Sequence, residues 1–152
     1  MSSPIQFFSE DIPFTLKDKM GIRKWLNLVI REENRRPWYI NFIFCNDEYL
    51  LDLNRTYLKH NTLTDILTFP YAEDPATVSG DIFISIDRVR ENAGIFNQDF
   101  QREILRVMAH GVLHLMGYPD HPAKQKELMT IREDHCLDIF DKLHKTLHIR
   151  NI

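Results

Sequence analysis

The sequence is poor in cysteine and glycine, and it has no long uninterrupted apolar run. Of its 152 residues, two are cysteine, five are glycine and seven are proline. Two cysteines are too few for a fold built on disulfides, and the low glycine content excludes a collagen-like or linker-dominated chain. No apolar run reaches the roughly 18 residues that a transmembrane helix needs. We therefore expect a cytoplasmic protein with reduced thiols and no membrane contact.

An excess of positive charge is also missing. The 19 lysines and arginines are outnumbered by 22 acidic residues, which gives a formal net charge of −3 and argues against a protein that grips nucleic acid with its whole surface. Residues 1–11 lack the basic and apolar regions of a signal peptide. What the chain does have is a hydrophobic fraction of 43%, enough for a core of its own. We predict a single domain over residues 1–152.

Hydrophobic periodicity predicts helices and strands in mixed order. Helical spacing marks four segments, and the density of β-branched and aromatic residues or their alternation marks three. The predicted elements are helix 16–33, strand 38–45, helix 48–57, strand 65–70, a strand through 82–86, helix 99–117 and a helix from about 122 to 148. Because they do not alternate strictly, the pattern predicts an α+β fold, in which a small mixed β-sheet packs against helices.

Histidines are concentrated in one short segment. His110 and His114 are four residues apart on a predicted helix, so both imidazoles can face one ion. Gly117 can end this helix, and the turn after it can bring His121 back as a third ligand. Three protein ligands with a fourth position for water are typical of a catalytic zinc. We predict one zinc per chain at the end of a core helix, bound by His110, His114 and His121.

The residues beside these histidines leave alternatives open. Zinc metallopeptidases with this histidine spacing use a glutamate directly after the first histidine as the general base. That position is Gly111 here, so a zinc peptidase would lack its proton acceptor. Asp120 is a candidate for three roles: acceptor for the N–H of a ligand histidine, catalytic base, or cap of the last helix. The sequence assigns no catalytic base.

The same segment resembles the YbeY family of bacterial endoribonucleases. The family signature H-G-x-L-H-L-x-G-Y-D-H is matched in order from His110 to His121. One residue departs from it: Pro119 stands between the tyrosine and the aspartate. His121 therefore follows His114 by seven positions rather than six, and an outward bulge of the turn would absorb the extra residue.

A second stretch also looks like this family. Leu53-Asn54, Tyr57 and residues 64–70 follow a family pattern that contains threonine-aspartate and ends in phenylalanine-proline. The family usually carries an arginine, thought to serve the substrate phosphate or catalysis, where this chain has Leu58. Leucine can do neither. Nearby Arg55 and Lys59 are the candidates for contacts with RNA phosphates.

The resemblance implies a function that the residues alone do not. It implies a zinc-dependent endoribonuclease specific for single-stranded RNA, acting on rRNA precursors at the 3′ end of the small-subunit rRNA and in ribosome quality control. The expected partners are RNA and the small ribosomal subunit, and DNA is not expected. One alternative is a zinc metallopeptidase-like hydrolase. The other is a ribosome-associated binding protein whose metal is only structural.

The remaining histidines and the two cysteines suggest no second site. His135, Cys136, His144 and His148 lie on the predicted last helix at spacings that do not converge on an ion, so we expect surface and packing roles. Cys45 lies within an aromatic strand and is expected to be a small buried side chain. Because a bound metal adds its own positive charge, the net charge of −3 still allows a locally positive site.

Overall fold

In the computed structural model, the described residues are 3–71, 74–119 and 123–150, and they form strands and helices in mixed order. The elements are β1 (Ile5–Ser9), α1 (Lys19–Glu32), β2 (Arg36–Cys45), α2 (Asp47–Leu53), a π-helical turn (Asn54–Leu58), β3 (Ile66–Pro70), β4 (Thr77–Ser85), α3 (Ile86–Ile95), α4 (Phe100–Leu115) and α5 (Ala123–Arg150). The predicted α+β class is confirmed. No helix in the described ranges is both long and apolar enough to cross a bilayer.

The four strands form one mixed sheet in the order β1-β2-β4-β3. β1 and β4 each pair with β2 in parallel, whereas β3 pairs with β4 in an antiparallel ladder. Parallel neighbours need a crossover connection, and α1 supplies it between β1 and β2. The expected mixed sheet is therefore present, with the N-terminal strand β1 at one edge.

Two elements escaped the sequence analysis, β1 and α3. The alternation of Ile82, Ile84 and Ile86 predicted one continuous strand, but β4 ends at Ser85 and Ile86 begins α3. The Ser85 hydroxyl oxygen accepts a hydrogen bond from the backbone N–H of Arg88 at 3.3 Å, which caps the new helix. Ile86 is buried as the first residue of this helix, so burial alone could not distinguish a strand end from a helix start.

One face of the sheet carries the main core. α1 packs on β2 and α4 packs on β3 and β4, while α5 lies against α1 and α4. Ile40, Phe42 and Ile82 on this face are completely buried. Gly111 of α4 sits directly on the sheet, because a Cβ atom added there would lie 2.8 Å from Cγ2 of Ile82 and 2.9 Å from Cδ1 of Ile66. This close approach fixes the height of α4 above the strands.

The opposite face is only partly covered. There α2 encloses a small cluster of Cys45, Leu50 and Leu67, which confirms the expected burial of Cys45. Gly80 and Asp81 lie inside β4. A Cβ on Gly80 would lie 2.5 Å from the carbonyl oxygen of Phe69, so the glycine permits the close pairing of β3 with β4.

Candidate metal centre

The histidine segment lies at the C-terminal end of α4. Asp99 caps the start of this helix, its side chain accepting a hydrogen bond from the backbone N–H of Arg102 at 3.3 Å. Gly117 follows the last turn with φ of 99°, a left-handed conformation that favours glycine. The helix therefore ends at Leu115, one residue after His114.

The imidazoles of His110 and His114 face each other through their Nε2 atoms, which are 2.9 Å apart. Each ring is held at its other nitrogen. Nδ1 of His114 donates to the carbonyl oxygen of Tyr118 at 2.9 Å, and Nδ1 of His110 contacts Oε2 of Glu133 at 2.5 Å. The structure thus brings together two of the three predicted ligands.

These contacts decide where the ring hydrogens lie. Because the Tyr118 carbonyl can only accept, Nδ1 of His114 carries the hydrogen, and the Glu133 carboxylate draws the hydrogen of His110 to Nδ1 in the same way. In the neutral rings both Nε2 atoms then present lone pairs to each other, an arrangement that a shared cation stabilises. A tetrahedral zinc with usual Zn–N distances would place them about 3.3 Å apart, so a small opening suffices. The donor set fits zinc.

The third predicted ligand cannot be placed in the same way. His121, Asp120 and Pro122 lie outside the described residues, so the ligation by His121 and the three roles considered for Asp120 stay predictions. Within the ranges that the structure describes, no group of three His, Cys, Asp or Glu side chains converges on a common point. The described part of the centre is the histidine pair with its hydrogen-bond partners.

Glu133 of α5 is the residue that the sequence analysis missed. It is 8% exposed, and its second oxygen, Oε1, accepts from Nη1 of Arg106 at 3.0 Å. Nη2 of Arg106 is bound in turn by Asp134 at 2.6 Å. Arg106, His110 and His114 recur every four residues on one face of α4, so helical spacing could have revealed the arginine. Glu133 depends on how α5 packs against α4, and no local pattern reveals that.

A cavity of about 390 Å³ lies beside His110. Two basic residues line it, Arg106 and Lys126, and so do three acidic residues, Asp65, Glu103 and Glu133. Burial raises the pKa of the Glu103 carboxyl, the nearby carboxylates raise it further, and Arg106 partly offsets the increase. A carboxyl group with a raised pKa is suited to accept a proton in a reaction near neutral pH.

The residue directly after the first histidine, Gly111, has no space for a larger side chain. Gly111 is buried and its Cα faces the sheet. A glutamate there would overlap Ile82 and Ile66 rather than reach the histidine pair, so this site does not have the base that a peptidase of this type requires.

The candidate RNA contacts, Arg55 and Lys59, lie at the π-helical turn that follows α2. Nε of Arg55 donates to Asn61 at 2.6 Å, and the guanidinium lies 3.8 Å from Asp52. Lys59 is exposed and ends the turn with φ of 56°. The described residues that line the cavity beside His110 include neither side chain. Contacts of Arg55 and Lys59 with RNA stay a prediction.

His135, His144 and Cys136 occupy the surface and packing positions expected for them. Nε2 of His135 contacts Glu32 at 2.7 Å, with both side chains half exposed. The ring of His144 stacks on Phe140. Cys136 is buried, and this burial raises the pKa of its thiol to about 12. The side chain of His148 lies outside the described residues.

Comparisons with known proteins agree with this fold. A family model described as Endoribonuclease YbeY matches residues 5–141. Curated proteins of that name from Cytophaga hutchinsonii and Flavobacterium psychrophilum are similar to this chain. The first is 46% identical over 135 residues, which cover 89% of this chain and 94% of the relative. The second is 44% identical over 133 residues, covering 88% and 94%.

A solved structure is similar as well. The solution structure of TM1509 from Thermotoga maritima matches with a TM-score of 0.66 at 26% identity, over 93% of this chain and 92% of that one. The family model spans most of the described elements, from β1 into α5. Together with the sequence identities above, it follows that this chain belongs to the endoribonuclease YbeY family.

Proposed function

We propose that residues 1–152 form a single zinc-dependent endoribonuclease domain, which cleaves single-stranded rRNA precursors in the cytoplasm during maturation of the small ribosomal subunit. The observation that carries the proposal is the pair of Nε2 atoms of His110 and His114, 2.9 Å apart with both Nδ1 atoms engaged. Membership of a family named for endoribonuclease activity supports RNA as the substrate. His121 would be the third ligand.

The hydrogen bonds around the histidines prepare them to bind the metal. Glu133 and the Tyr118 carbonyl select the Nδ1–H tautomer and fix the angle of each ring, so that both Nε2 lone pairs stay directed at one point. Such partners typically raise metal affinity and ligand basicity. When bound, zinc lowers the pKa of a coordinated water towards neutrality and polarises a phosphoryl oxygen.

The cavity beside His110 supplies groups for the phosphate and the proton. Lys126 lines its wall beside Arg106, whose guanidinium is already bound by Glu133 and Asp134. We therefore assign to Lys126 the phosphate contact that the missing arginine at Leu58 would make. Whichever oxygen attacks phosphorus must lose a proton. Glu103 lines the same cavity with a raised pKa, and we assign it the role of proton acceptor.

Metal analysis and a cleavage assay test the proposal together. Protein purified without chelator is expected to carry close to one zinc per chain, and it should cleave a single-stranded RNA in a chelator-sensitive reaction. Duplex RNA of the same sequence and casein are the control substrates, and both should stay intact.

Three outcomes would contradict the proposal. Absence of any transition metal in the purified protein would remove its chemical basis. Cleavage of casein without cleavage of RNA would favour the peptidase alternative. Tight binding to the small ribosomal subunit without turnover would favour a binding protein with a structural metal.

A further inference from the structure

A second cavity, of about 640 Å³, opens on the sheet face opposite α4. Ser79 and Thr77 of β4 line it, and they point away from the core because side chains alternate along a strand and Val78 is buried on the other side. Its remaining walls are mainly aromatic. The side chains of Trp38, Tyr39 and Tyr71 are 56%, 64% and 59% exposed, which is unusually high for large aromatic rings.

A bulge in β2 directs two of these rings outward. The register between β2 and β4 shifts between Pro37 and Ile40, and Tyr39 has φ of 56°. A bulky residue in this left-handed region is strained, and strain of this kind is concentrated at functional sites. Oγ of Ser79 donates to the carbonyl oxygen of Tyr39 at 3.2 Å and holds the bulge.

The third ring is also held in place. The hydroxyl of Tyr71 donates to Oδ2 of Asp81 at 2.7 Å, while Oδ1 of Asp81 accepts from Nδ2 of Asn41 at 3.0 Å. The ring is therefore fixed at its polar end, and more than half of its surface stays open. A rigid exposed ring loses little conformational entropy when another flat group stacks on it.

Arginines connect this cavity to the histidine end of α4. Arg36 lines the cavity, and no described residue accepts a hydrogen bond from its guanidinium. Nη1 of the adjacent Arg35 donates to the carbonyl oxygen of Met116 at 2.9 Å, two residues after His114. The acidic residue of the cavity, Asp74, is engaged in its own turn, where Oδ1 accepts from the N–H of Ala76 at 2.9 Å.

We propose that the aromatic cavity binds single-stranded RNA, with bases stacked on its exposed rings, Trp38, Tyr39 and Tyr71, and a phosphate beside Arg36. Unpaired bases are recognised by stacking on aromatic rings, and arginine pairs with the phosphates between them. The volume of about 640 Å³ lies within the range of small-molecule sites. This site rests on the proposed function for its RNA substrate, and it adds a binding position away from the scissile bond.

Tryptophan fluorescence can report on this cavity directly. The chain has two tryptophans, and Trp25 is fully buried with its Nε1 donating to the carbonyl of Cys136. Quenching by a stacked base therefore reports Trp38. An oligouridylate of about ten nucleotides, a length typical of single-strand sites, should quench the purified protein. Duplex RNA and inorganic phosphate should not, and Trp38→Phe should remove the signal.

Substitutions measure what each group contributes. Trp38→Ala and Tyr71→Ala are each expected to raise the Kd for the oligouridylate about 5- to 100-fold, with unchanged circular dichroism. Phe8→Ala, which removes an exposed ring of β1, is the matched control and should leave the Kd unchanged. Arg36→Gln should reduce the salt dependence of binding by about 0.7 in log–log slope, whereas Lys24→Gln on exposed α1 should not.

The outcomes separate this proposal from the proposed function. If Trp38→Ala and Tyr71→Ala bind and cleave RNA as the wild type does, the cavity proposal is overturned, the nuclease function stands, and the aromatic surface is left for a protein partner. If RNA quenches Trp38 but no RNA is cleaved under any metal loading, the nuclease function is overturned and the cavity proposal stands.

Discussion

On one face of the sheet, α1 and α4 bury Ile40, Phe42 and Ile82 completely, whereas on the other face α2 covers only the part near Cys45. The helices on the covered face carry the histidine pair, whose rings are held by Glu133 and by the carbonyl oxygen of Tyr118. The open face carries Trp38 and neighbouring aromatic rings, which are exposed to solvent. Both surfaces belong to the same four strands, so the comparison isolates the effect of the helices.

The helical layer supplies what metal chemistry needs, which is precise and lasting geometry. His110 is oriented by a carboxylate from α5, and that carboxylate is itself held by Arg106 of α4. Side chains supported in this way by packed helices stay within the narrow tolerance of a metal centre. The open face has the opposite property, because rings at 56–64% exposure can receive a partner without displacing any part of the fold.

The largest expected effect comes from removing one of the proposed metal ligands on the covered face. His114→Ala should reduce zinc content from near one per chain to near zero and lower the cleavage rate by roughly a thousandfold or more, since several kcal/mol of transition-state stabilisation is lost. Zinc is measured by elemental analysis and cleavage with a single-stranded RNA. His114 is only partly buried, so the variant should remain folded.

His135→Ala is the matched control for this substitution. His135 is a half-exposed histidine paired with Glu32, and its loss should change neither zinc content nor cleavage. Equal losses in the two variants would show that the histidine pair has no special role, and the contrast between α4 and the rest of the surface would fail.

A smaller effect is expected from the partner of His110. Glu133→Gln keeps the shape of the side chain but weakens its contact with Nδ1 of His110, so zinc affinity should fall about 10- to 100-fold. Competition with a fluorescent chelator measures this affinity. Asp134→Asn is the control, because Asp134 binds the same Arg106 from an exposed position and does not contact a histidine. A similar loss in both variants would mean that the arginine, rather than the histidine contact, matters.

The sequence predicted α4 because every signal agreed there. Its apolar residues are periodic over four turns, Asp99 marks the start, and Gly117 marks the end. The histidines follow directly from this helix, since their spacing of four places them on one face. Arg106 lies one turn earlier on that face, so the same spacing of four places it beside His110.

Other features were beyond local patterns for physical reasons. β1 is a five-residue edge strand, too short for its alternation to stand out, and its place in the sheet depends on pairing with β2. Glu133 reaches His110 across 23 residues of sequence through the packing of α5 on α4. The bulge that exposes Tyr39 depends on the register with β4. In each case the decisive contact is tertiary.

The closeness of α4 to the sheet can be tested by stability rather than activity. Gly111→Ala adds a Cβ that would lie 2.8 Å from Ile82 and 2.9 Å from Ile66, and such overpacking typically costs about 1–3 kcal/mol of unfolding free energy. Thermal unfolding should show a decrease in Tm of a few degrees per kcal/mol, about 2–4 °C for a chain of this size.

Gly94→Ala in α3 is the matched control, since a Cβ there has nothing within 4 Å. Its higher helix propensity should stabilise the protein by up to about 1 kcal/mol. If both glycine variants behave alike, α4 does not rest on the strands as tightly as the covered face implies.

The smallest effect concerns how easily the two faces open. Burial raises the pKa of Cys45 and of Cys136 from 9.0 to about 12. In the fully folded protein at pH 8 both thiols are therefore protonated and buried, and neither should react with a disulfide reagent. Cys45 lies under α2 in a small cluster, whereas Cys136 belongs to the main core. In low urea Cys45 should therefore react first, by roughly tenfold for each 1.4 kcal/mol of difference in opening free energy.

Single-cysteine variants and peptide mapping after labelling measure the two rates, and equal rates would show that both faces open together.

The same thiols give a pH dependence of the free energy of unfolding with a definite sign. Above the unfolded pKa of 9.0, the unfolded chain releases thiol protons that the folded chain retains until about pH 12. The unfolded state then binds fewer protons, so the free energy of unfolding should decrease as the pH rises through this window. Cys45→Ala and Cys136→Ala should each reduce that decrease, since each removes one of the two titrating groups.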